Sequence, residues 1–234
     1  MKGIIYYTDN RLTEPLRSLV IKQIARTGFY VVSTSLKPIE FGENVVVEGE
    51  RGYPTMIKQI TTALATSTAK YVFFCEHDVL YPRSHFDFVP PRDDIFYYNV
   101  NVWRWGLGNK TVIRHNRMMC LSCLCVNREF ALDHYQKRME RILEVGLDKF
   151  TSREPELARI WGYEPGTKKT KRGGFSNDDY ATWESEEPVI DVRHKGSFSS
   201  PKLSLQAFTH PPEWFKEIPI EQVKGWNLKE MFAL

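Results

Sequence analysis

Apolar and polar positions alternate between strand-like and helix-like spacing through the first 80 residues of the chain. Short apolar runs rich in β-branched and aromatic residues predict strands at residues 3–7, 29–34, 44–47 and 71–75. Apolar residues at helical spacing predict two helices, from Leu12 to Arg26 and from Pro54 to Thr68. Regular alternation of strand and helix predicts a mostly parallel sheet with right-handed crossovers.

After residue 80 the pattern changes to shorter strands, more aromatic residues and more turns. Strands are predicted at residues 112–115, 121–126 and 189–192. An amphipathic helix is predicted over residues 128–143, and a short helix capped by Ser176 over residues 177–184. We therefore expect one α/β domain over residues 1–234, with a mixed, mostly parallel central sheet flanked by helices.

Composition adds a few limits to this picture. A hydrophobic share of 42%, a charged share of 26% and a net charge of +3 suit a globular protein and exclude neither nucleic acid nor a small substrate. No apolar run reaches the roughly 18–20 residues that cross a bilayer, so we expect no membrane partner. The cysteines lie in apolar segments, and we expect buried reduced thiols in a cytoplasmic protein rather than the zinc site that Cys120-x-x-Cys123 suggests. The sequence sets no oligomeric state.

The most informative motif is Glu76-His77-Asp78, which directly follows the apolar run at residues 71–75. Ligands of open α/β sheets bind at the carboxyl ends of the strands, which is where this motif lies. Carboxylate oxygens suit Mg²⁺ or Mn²⁺, and imidazole nitrogen can join them when a diphosphate supplies further oxygens. A solvated turn after a core strand is the alternative interpretation.

The alternating first half, the acidic motif and a late strand followed by His194 together resemble the GT-A fold glycosyltransferases, most closely the family 2-like enzymes. In that family a DxD motif follows an apolar strand, and its last acid holds a divalent ion on the sugar nucleotide. Asp78 matches this ligand and Glu76 the first acid, with Glu replacing Asp. His194 matches the C-terminal metal-binding His of many of these enzymes. The resemblance thus implies Mn²⁺ or Mg²⁺ and a nucleotide-sugar donor, which we expect to be a UDP-sugar.

The same resemblance divides the chain into a nucleotide-binding half (residues 1–80), an acceptor half (81–210) and a C-terminal tail (211–234). It implies that the donor contacts residues at the ends of the first strands and at the start of the second helix. These residues are Thr8, Asp9, Asn10, Lys37, Arg51, Gly52, Lys58, Glu76 and His77.

An inverting sugar transfer also needs a base that takes the proton of the acceptor hydroxyl. The family often places its catalytic Asp in an acidic pair at the start of a late helix, and Asp178 and Asp179 match that description. Carboxylates in a first helical turn are also what the helix dipole favours without any catalytic role. Between the two residues the sequence does not choose.

Two features bear on the acceptor. A basic loop flanked by glycines contains Lys168, Lys169, Lys171 and Arg172, and can follow phosphates. Trp103 and Trp105 lie among arginines and can stack on a sugar or on a base extruded from DNA. Fold-level resemblance to phage-associated glycosyltransferases that modify hydroxymethylated DNA favours a 5-hydroxymethyl pyrimidine in DNA. A saccharide or small-molecule acceptor, and core packing of the aromatic residues, are the alternatives.

Three other functions compete with this interpretation. A metal-dependent phosphohydrolase would need further His ligands on helices, and a nucleotidyltransferase would need a glycine-rich Arg-Lys signature after the first strand, which residues 8–13 lack. A non-enzymatic nucleic-acid-binding module would explain the basic loop but not the position of Glu76-His77-Asp78.

Overall fold

A seven-stranded mixed sheet forms the centre of the computed structural model, which describes residues 1–115, 117–146, 164–166, 179–197 and 202–233. In spatial order its strands are β10 (Tyr180–Trp183), β6 (Phe96–Asn99), β9 (Leu124–Asn127), β4 (Tyr71–Glu76), β1 (Lys2–Thr8), β2 (Tyr30–Ser35) and β3 (Glu43–Val46). Four of the six neighbouring pairs are parallel, and β9 runs antiparallel to both its neighbours. The predicted mixed, mostly parallel sheet is therefore confirmed.

Helices cover both faces of this sheet. They are α1 (Leu16–Ala25), α2 (Tyr53–Thr66), α3 (Arg83–Asp87), α4 (Arg128–Val145) and α5 (Leu228–Met231). Successive side chains of a strand point to opposite faces, so β1 contributes to two cores. Ile4 and Tyr6 pack on the side of α1, whereas Ile5 and Tyr7 pack on the side of α2 and α4. The predicted flanking of the sheet by helices is confirmed.

A second, five-stranded sheet closes the core on the α1 side. Its strands in spatial order are β12 (Lys216–Pro219), β8 (Thr111–Arg114), β7 (Val102–Gly106), β11 (Val189–Arg193) and β5 (Val79–Leu80). Only two residues separate the end of β4 from the short strand β5, so the chain passes directly from the first sheet into the second. The strand pattern predicted β8 and β11 but gave no indication that they belong to a separate sheet.

Three predicted elements differ from the structure. Helix α1 begins at Leu16 rather than Leu12, directly after Pro15, although Leu12 still packs in the core. Residues Leu121–Cys123 form a turn of 3₁₀ helix, so strand β9 begins only at Leu124. The helix predicted over residues 177–184 is wrong for residues 180–183, which form β10, a short strand of β-prone residues that pairs with β6, whereas Asp179 before it lies in a turn of 3₁₀ helix.

The free thiols of the cysteines agree with the sequence expectation. All four cysteines carry free thiols, and three of them are fully buried: Cys75, Cys123 and Cys125. Within the described residues, no helix combines the length and the apolar character needed to span a bilayer.

A buried polar network fixes the start of α2 against α4. The Arg138 guanidinium pairs with the Glu164 carboxylate and donates a 2.8 Å hydrogen bond to the Tyr53 hydroxyl. The Tyr135 hydroxyl donates a 2.8 Å hydrogen bond to the same carboxylate. Because removing one partner of a buried ion pair leaves an uncompensated buried charge, these contacts hold the first turn of α2 in one position.

The buried His85 side chain makes fold stability depend on pH. Its ring is fully buried, lies 3.0 Å from the Asn99 amide nitrogen and stacks on Trp183. Burial lowers the pKa of His85 to about 3, whereas an unfolded histidine titrates near 6.5. Below about pH 6.5 the His85 ring is therefore protonated in the unfolded chain but stays neutral in the folded chain. The free energy of unfolding should fall by up to about 1.4 kcal/mol per pH unit from this residue alone, until the pH nears the folded value.

Urea unfolding of wild-type and His85→Gln protein between about pH 7.5 and 4.5 tests this. The variant should lose roughly 2–3 kcal/mol less stability over that range, because glutamine does not titrate. His210→Gln, at an exposed histidine, is the matched control and should keep the wild-type slope. Equal slopes for His85→Gln and wild type would contradict the assignment.

Candidate functional site

The carboxyl ends of β1 and β4 meet at a cleft. The two strands are parallel neighbours, and the pairing places Tyr7 beside Glu76. The cleft is lined by residues 7–9, Leu36, Arg51, Gly52, Thr55, Met56, Gln59 and residues 76–78. This is the edge at which open α/β sheets bind ligands, and the predicted donor residues Thr8, Asp9, Arg51, Gly52, Glu76 and His77 all lie there.

His194 lies beside this cleft, next to Asp78, although the two residues are far apart in the sequence. Strand β5 pairs antiparallel with β11, and the Val192 amide donates a 3.0 Å hydrogen bond to the Asp78 carbonyl. His194 follows β11 directly, and its Nε2 lies 3.6 Å from Asp78 Oδ2. The two residues predicted to share a metal ion are therefore adjacent in space.

Asp78, His194 and His77 each offer one potential ligand atom, and these atoms lie within 4.8 Å of one another. Among the residues that the structure describes, this is the one place where three such side chains come so close together. All three side chains are largely buried, and His194 Nε2 is a buried nitrogen without a hydrogen-bond partner in the described structure. An orphaned buried nitrogen next to a carboxylate fits the role of a metal ligand.

The donor set favours some cations over others. One carboxylate and two imidazoles form a softer set than the all-oxygen shells of Mg²⁺, so Mn²⁺ fits better than Mg²⁺. The Gly196 amide donates a 3.1 Å hydrogen bond to His194 Nδ1, which places the proton of the neutral ring on Nε2. Coordination of a metal ion through Nε2 would therefore require the proton on Nε2 to leave that atom. If the proton moves to Nδ1, the hydrogen bond from the Gly196 amide opens.

Two carboxyl groups of the motif differ in acidity. Burial, reinforced by the Asp78 charge, raises the pKa of Glu76 to about 7, although its Oε1 accepts a 2.8 Å hydrogen bond from the Tyr7 hydroxyl. Burial also acts to raise the pKa of Asp78. The adjacent His194 imidazole and the charges of His77 and Arg193 outweigh that effect and hold the pKa of Asp78 below its ordinary value.

Arg51 joins three segments around the cleft. Its Nε pairs with the Asp9 carboxylate after β1, and its terminal nitrogen donates a 2.7 Å hydrogen bond to the Gly196 carbonyl. The same Asp9 carboxylate lies 3.7 Å from His77 Nδ1. Arg51 thus connects the loop before α2, the end of β1 and the turn that carries His194.

Three predicted donor residues lie outside the lining of the cleft. The Asn10 carboxamide holds the loop after β2 in place. Its Oδ1 accepts hydrogen bonds from the Leu36 and Lys37 backbone amides, and its Nδ2 donates one to the Lys37 carbonyl. Lys37 itself is exposed. Lys58 is also exposed and donates a 3.1 Å hydrogen bond to the Glu48 carbonyl. Asn10 therefore positions Leu36, which does line the cleft, and is not itself part of the lining.

The predicted acceptor aromatics are core residues. Trp105 is fully buried, donates from Nε1 to the Asn109 carbonyl at 2.9 Å and contacts Phe232. Trp103 is 8% exposed and donates from Nε1 to Asn101 Oδ1 at 3.1 Å. Neither ring presents a free face to an acceptor, so the stacking hypothesis for these two residues is wrong. The basic residues Lys168, Lys169, Lys171 and Arg172 lie outside the described residues.

Asp179 lies at the opposite edge of the sheet from Asp78. It precedes β10, whose Tyr180 pairs with Phe96 of β6, and the rungs continue through Val126 of β9 to Val72. Asp179 therefore lies near the amino end of β4, about 16 Å along the strand from its carboxyl end at roughly 3.3 Å per residue. At that place Asp179 cannot take a proton from an acceptor at Asp78. Asp178 lies outside the described residues.

Sequence reasoning did not single out two polar residues, Gln59 in the cleft and Asp191 near it. Gln59 lies on the buried face of α2, three residues after Met56 and four before Ala63. At this spacing the helical pattern predicts an apolar residue. Asp191 interrupts an apolar strand, and its Oδ2 accepts hydrogen bonds from Arg193 and Arg104. A polar residue at a core position of a strong pattern is the signal that marks Gln59 and Asp191.

Comparison with known proteins leaves family and function open. The sequence matches no protein-family model and none of the curated proteins with which it was compared. The fold is similar to the bifunctional IspDF from Campylobacter jejuni, with 11% identity over 80% of this chain and 50% of that one, at a TM-score of 0.43.

Two glycosyltransferases give similar values. The apo-form glycosyltransferase GlyE from Streptococcus pneumoniae TIGR4 has 9% identity over 78% of this chain and 45% of that one, at a TM-score of 0.44. A glycosyltransferase involved in the glycosylation of the major capsid of PBCV-1 has 10% identity over 78% of this chain and 81% of that one, at 0.43. The chain thus spans about half of IspDF and of GlyE. Likenesses at this level assign neither a family nor an activity.

The geometry of His77, Asp78 and His194 makes a prediction about metal affinity. Wild-type protein should bind Mn²⁺ more tightly than Mg²⁺, and Asp78→Asn should weaken Mn²⁺ binding by at least the roughly 10–100-fold that loss of an outer-shell partner costs. The loss of the free Mn²⁺ signal in electron paramagnetic resonance measures this directly. Asp133→Asn, at an exposed carboxylate on α4, is the matched control and should bind as wild type does. Equal Mn²⁺ affinity in Asp78→Asn would exclude this cluster as the metal site.

Proposed function

We propose that this protein is a GT-A-type glycosyltransferase that moves a sugar from a nucleotide diphosphate sugar, with uridine as the nucleoside, to an acceptor hydroxyl. The observation that carries the proposal is the convergence of Asp78, His77 and His194 at the rim of a cleft. That cleft lies at the carboxyl ends of parallel strands, and Arg51 lies inside it. A diphosphate needs cationic neighbours. At this cleft the described residues bring together Arg51 and the three side chains that could hold a cation.

The diphosphate would lie between the metal ligands and the start of α2. A divalent ion held by Asp78, His77 and His194 would stabilise the charge that develops on the leaving diphosphate. Gly52 and Thr55 line the cleft at the amino end of a 14-residue helix, where the helix dipole favours negative charge. Arg51 adds a fixed positive charge, oriented by Asp9.

The acceptor side of the reaction needs a base and a surface that binds the acceptor. An inverting transfer needs a base, and with Asp179 at the far edge of the sheet, Asp178 stays a prediction from the sequence. Support for DNA carrying a 5-hydroxymethyl pyrimidine comes from the basic loop at residues 168–172. A saccharide or small-molecule acceptor is the alternative within the same reaction class.

The reaction is tested by incubating the protein with a panel of UDP-sugars and Mn²⁺ and measuring release of UDP. Turnover should stop with EDTA and return with added Mn²⁺, since loss of the cation removes several kcal/mol of transition-state stabilisation. The control is the same chelation followed by addition of Ca²⁺, which prefers a larger oxygen-only shell and should restore little activity. Turnover that EDTA leaves unchanged would contradict the metal-dependent mechanism.

Parallel mixtures that contain UTP with a sugar phosphate, a phosphate ester or DNA distinguish the competing functions. Release of pyrophosphate from UTP and a sugar phosphate would identify a nucleotidyltransferase, and release of inorganic phosphate would identify a phosphohydrolase. DNA binding without any turnover or donor binding would favour a nucleic-acid-binding module.

The DNA acceptor makes a prediction of its own. Changing Lys168, Lys169, Lys171 and Arg172 together to Ser should lower transfer to hydroxymethylated DNA and leave donor binding unchanged. The fall of activity with salt should also become shallower, because fewer counterions are released on binding. A matched variant with four exposed basic residues elsewhere changed to Ser, Lys22, Arg26, Lys224 and Lys229, should keep the wild-type salt slope. If wild-type protein transfers no sugar to such DNA, the DNA acceptor is excluded and a saccharide acceptor is favoured.

A further inference from the structure

We propose that Gln59 selects the nucleobase of the donor by accepting a hydrogen bond from a ring N–H. This inference rests on the proposed function, since it assumes that a nucleotide occupies the cleft. It predicts that bases with a ring N–H on their Watson–Crick edge, uracil and guanine, bind better than their counterparts cytosine and adenine.

The position of Gln59 places its side chain at the base of the cleft. The residue lies on α2 and is only 4% exposed, yet it lines the cleft beside Leu36 and Met56. Its Nε2 donates a 2.8 Å hydrogen bond to the Thr8 carbonyl and a longer one, 3.4 Å, to the Thr34 carbonyl. These carbonyls belong to the ends of β1 and β2, so the amide is held between two strands.

The two carbonyls determine which way the carboxamide faces. A carbonyl oxygen can only accept a hydrogen bond, so the NH₂ group must point at Thr8 and Thr34. Rotating the amide would lose both bonds and bring its oxygen against two other oxygens. The two carbonyl acceptors therefore determine which atom of the Gln59 carboxamide is the nitrogen and which is the oxygen.

The remaining polar atom of the side chain is Oε1, a pure acceptor. No described residue donates a hydrogen bond to it, and it is not one of the buried polar atoms that lack a partner. Since Gln59 lines the cleft, Oε1 is the atom that the side chain offers to a ligand there. A nearly buried acceptor with a fixed direction discriminates strongly, because a ligand that cannot donate leaves it unsatisfied.

Nucleobases differ in this property. Uracil carries a hydrogen on ring nitrogen N3 and guanine on N1, whereas cytosine N3 and adenine N1 carry lone pairs. A lone pair facing Oε1 would desolvate two acceptors without forming a bond, so cytosine and adenine could satisfy Oε1 only by shifting until the exocyclic amino group beside that lone pair faces it, away from the position that suits uracil and guanine. Leu36 and Met56 provide apolar contact with any base, so they contribute affinity but not this selectivity.

Binding of four nucleoside diphosphates in the presence of Mn²⁺ tests the inference by calorimetry. UDP should bind roughly 10–100-fold more tightly than CDP, and GDP should likewise bind more tightly than ADP. Gln59→Met, which keeps the length of the side chain but removes the acceptor, should bring both ratios close to one by weakening UDP and GDP. Gln136→Met, at an exposed glutamine on α4, is the matched control and should keep the wild-type ratios.

A change in the ligand keeps the test valid if Gln59→Met fails to fold. UDP methylated at N3 lacks the ring hydrogen and should bind wild-type protein no better than CDP does. Equal binding of UDP, CDP and N3-methylated UDP would overturn the role of Gln59 while leaving sugar transfer intact. If none of the nucleotides binds, the proposed function itself fails, and the two results are therefore distinct.

Discussion

The antiparallel pairing of β5 with β11 is the contact on which the site depends. Only two residues separate β4 from β5, so whatever pairs with β5 lies next to the Glu76-His77-Asp78 motif. The side chains around this pairing are almost fully buried, including Val79, Leu80, Ile190 and Val192. Burial of about four aliphatic side chains, each worth roughly 1.5–3 kcal/mol, offsets the entropy of closing the long loop between the strands.

Charge is concentrated around this pairing in a way that suits an ionic ligand. Three acids lie close together, Glu76, Asp78 and Asp191, and burial of such groups is unfavourable unless opposite charges compensate it. Arg193 and Arg104 both bond to Asp191, and burial leaves Glu76 with a pKa near 7. Compensation by neighbouring positive charge is therefore complete for Asp191 but not for Glu76.

Several polar residues around the cleft act by holding others in place. Asn10 fixes the loop that carries Leu36, and Arg51 connects β1 to the turn that carries His194. The buried pair of Arg138 and Glu164 holds Tyr53, one residue beyond Gly52. Such braces matter because a site positions a ligand only as well as the surrounding contacts position the side chains.

The hydrophobic pattern determined the alternating strands and helices of the first half, because period-2 and period-3.6 burial are local properties of the chain. It also placed Glu76, His77 and Asp78 at the carboxyl end of a buried strand. His194 was assigned by resemblance, and only the β5–β11 pairing puts it beside Asp78. Contacts of this kind join residues far apart in the sequence, so no local pattern reports them.

Side-chain roles were decided by the tertiary structure for the same reason. Trp103 and Trp105 have the composition of a stacking platform, but the second sheet and the C-terminal helix bury them. Asp179 has the local signature of a helix start and lies in a turn of 3₁₀ helix, but pairing of β10 with β6 makes the residues after it a strand at the far edge of the sheet. The sequence alone determined which residue types were present and where strands began. Which of those residues face a common cleft depended on the register and order of the strands, which only long-range packing sets.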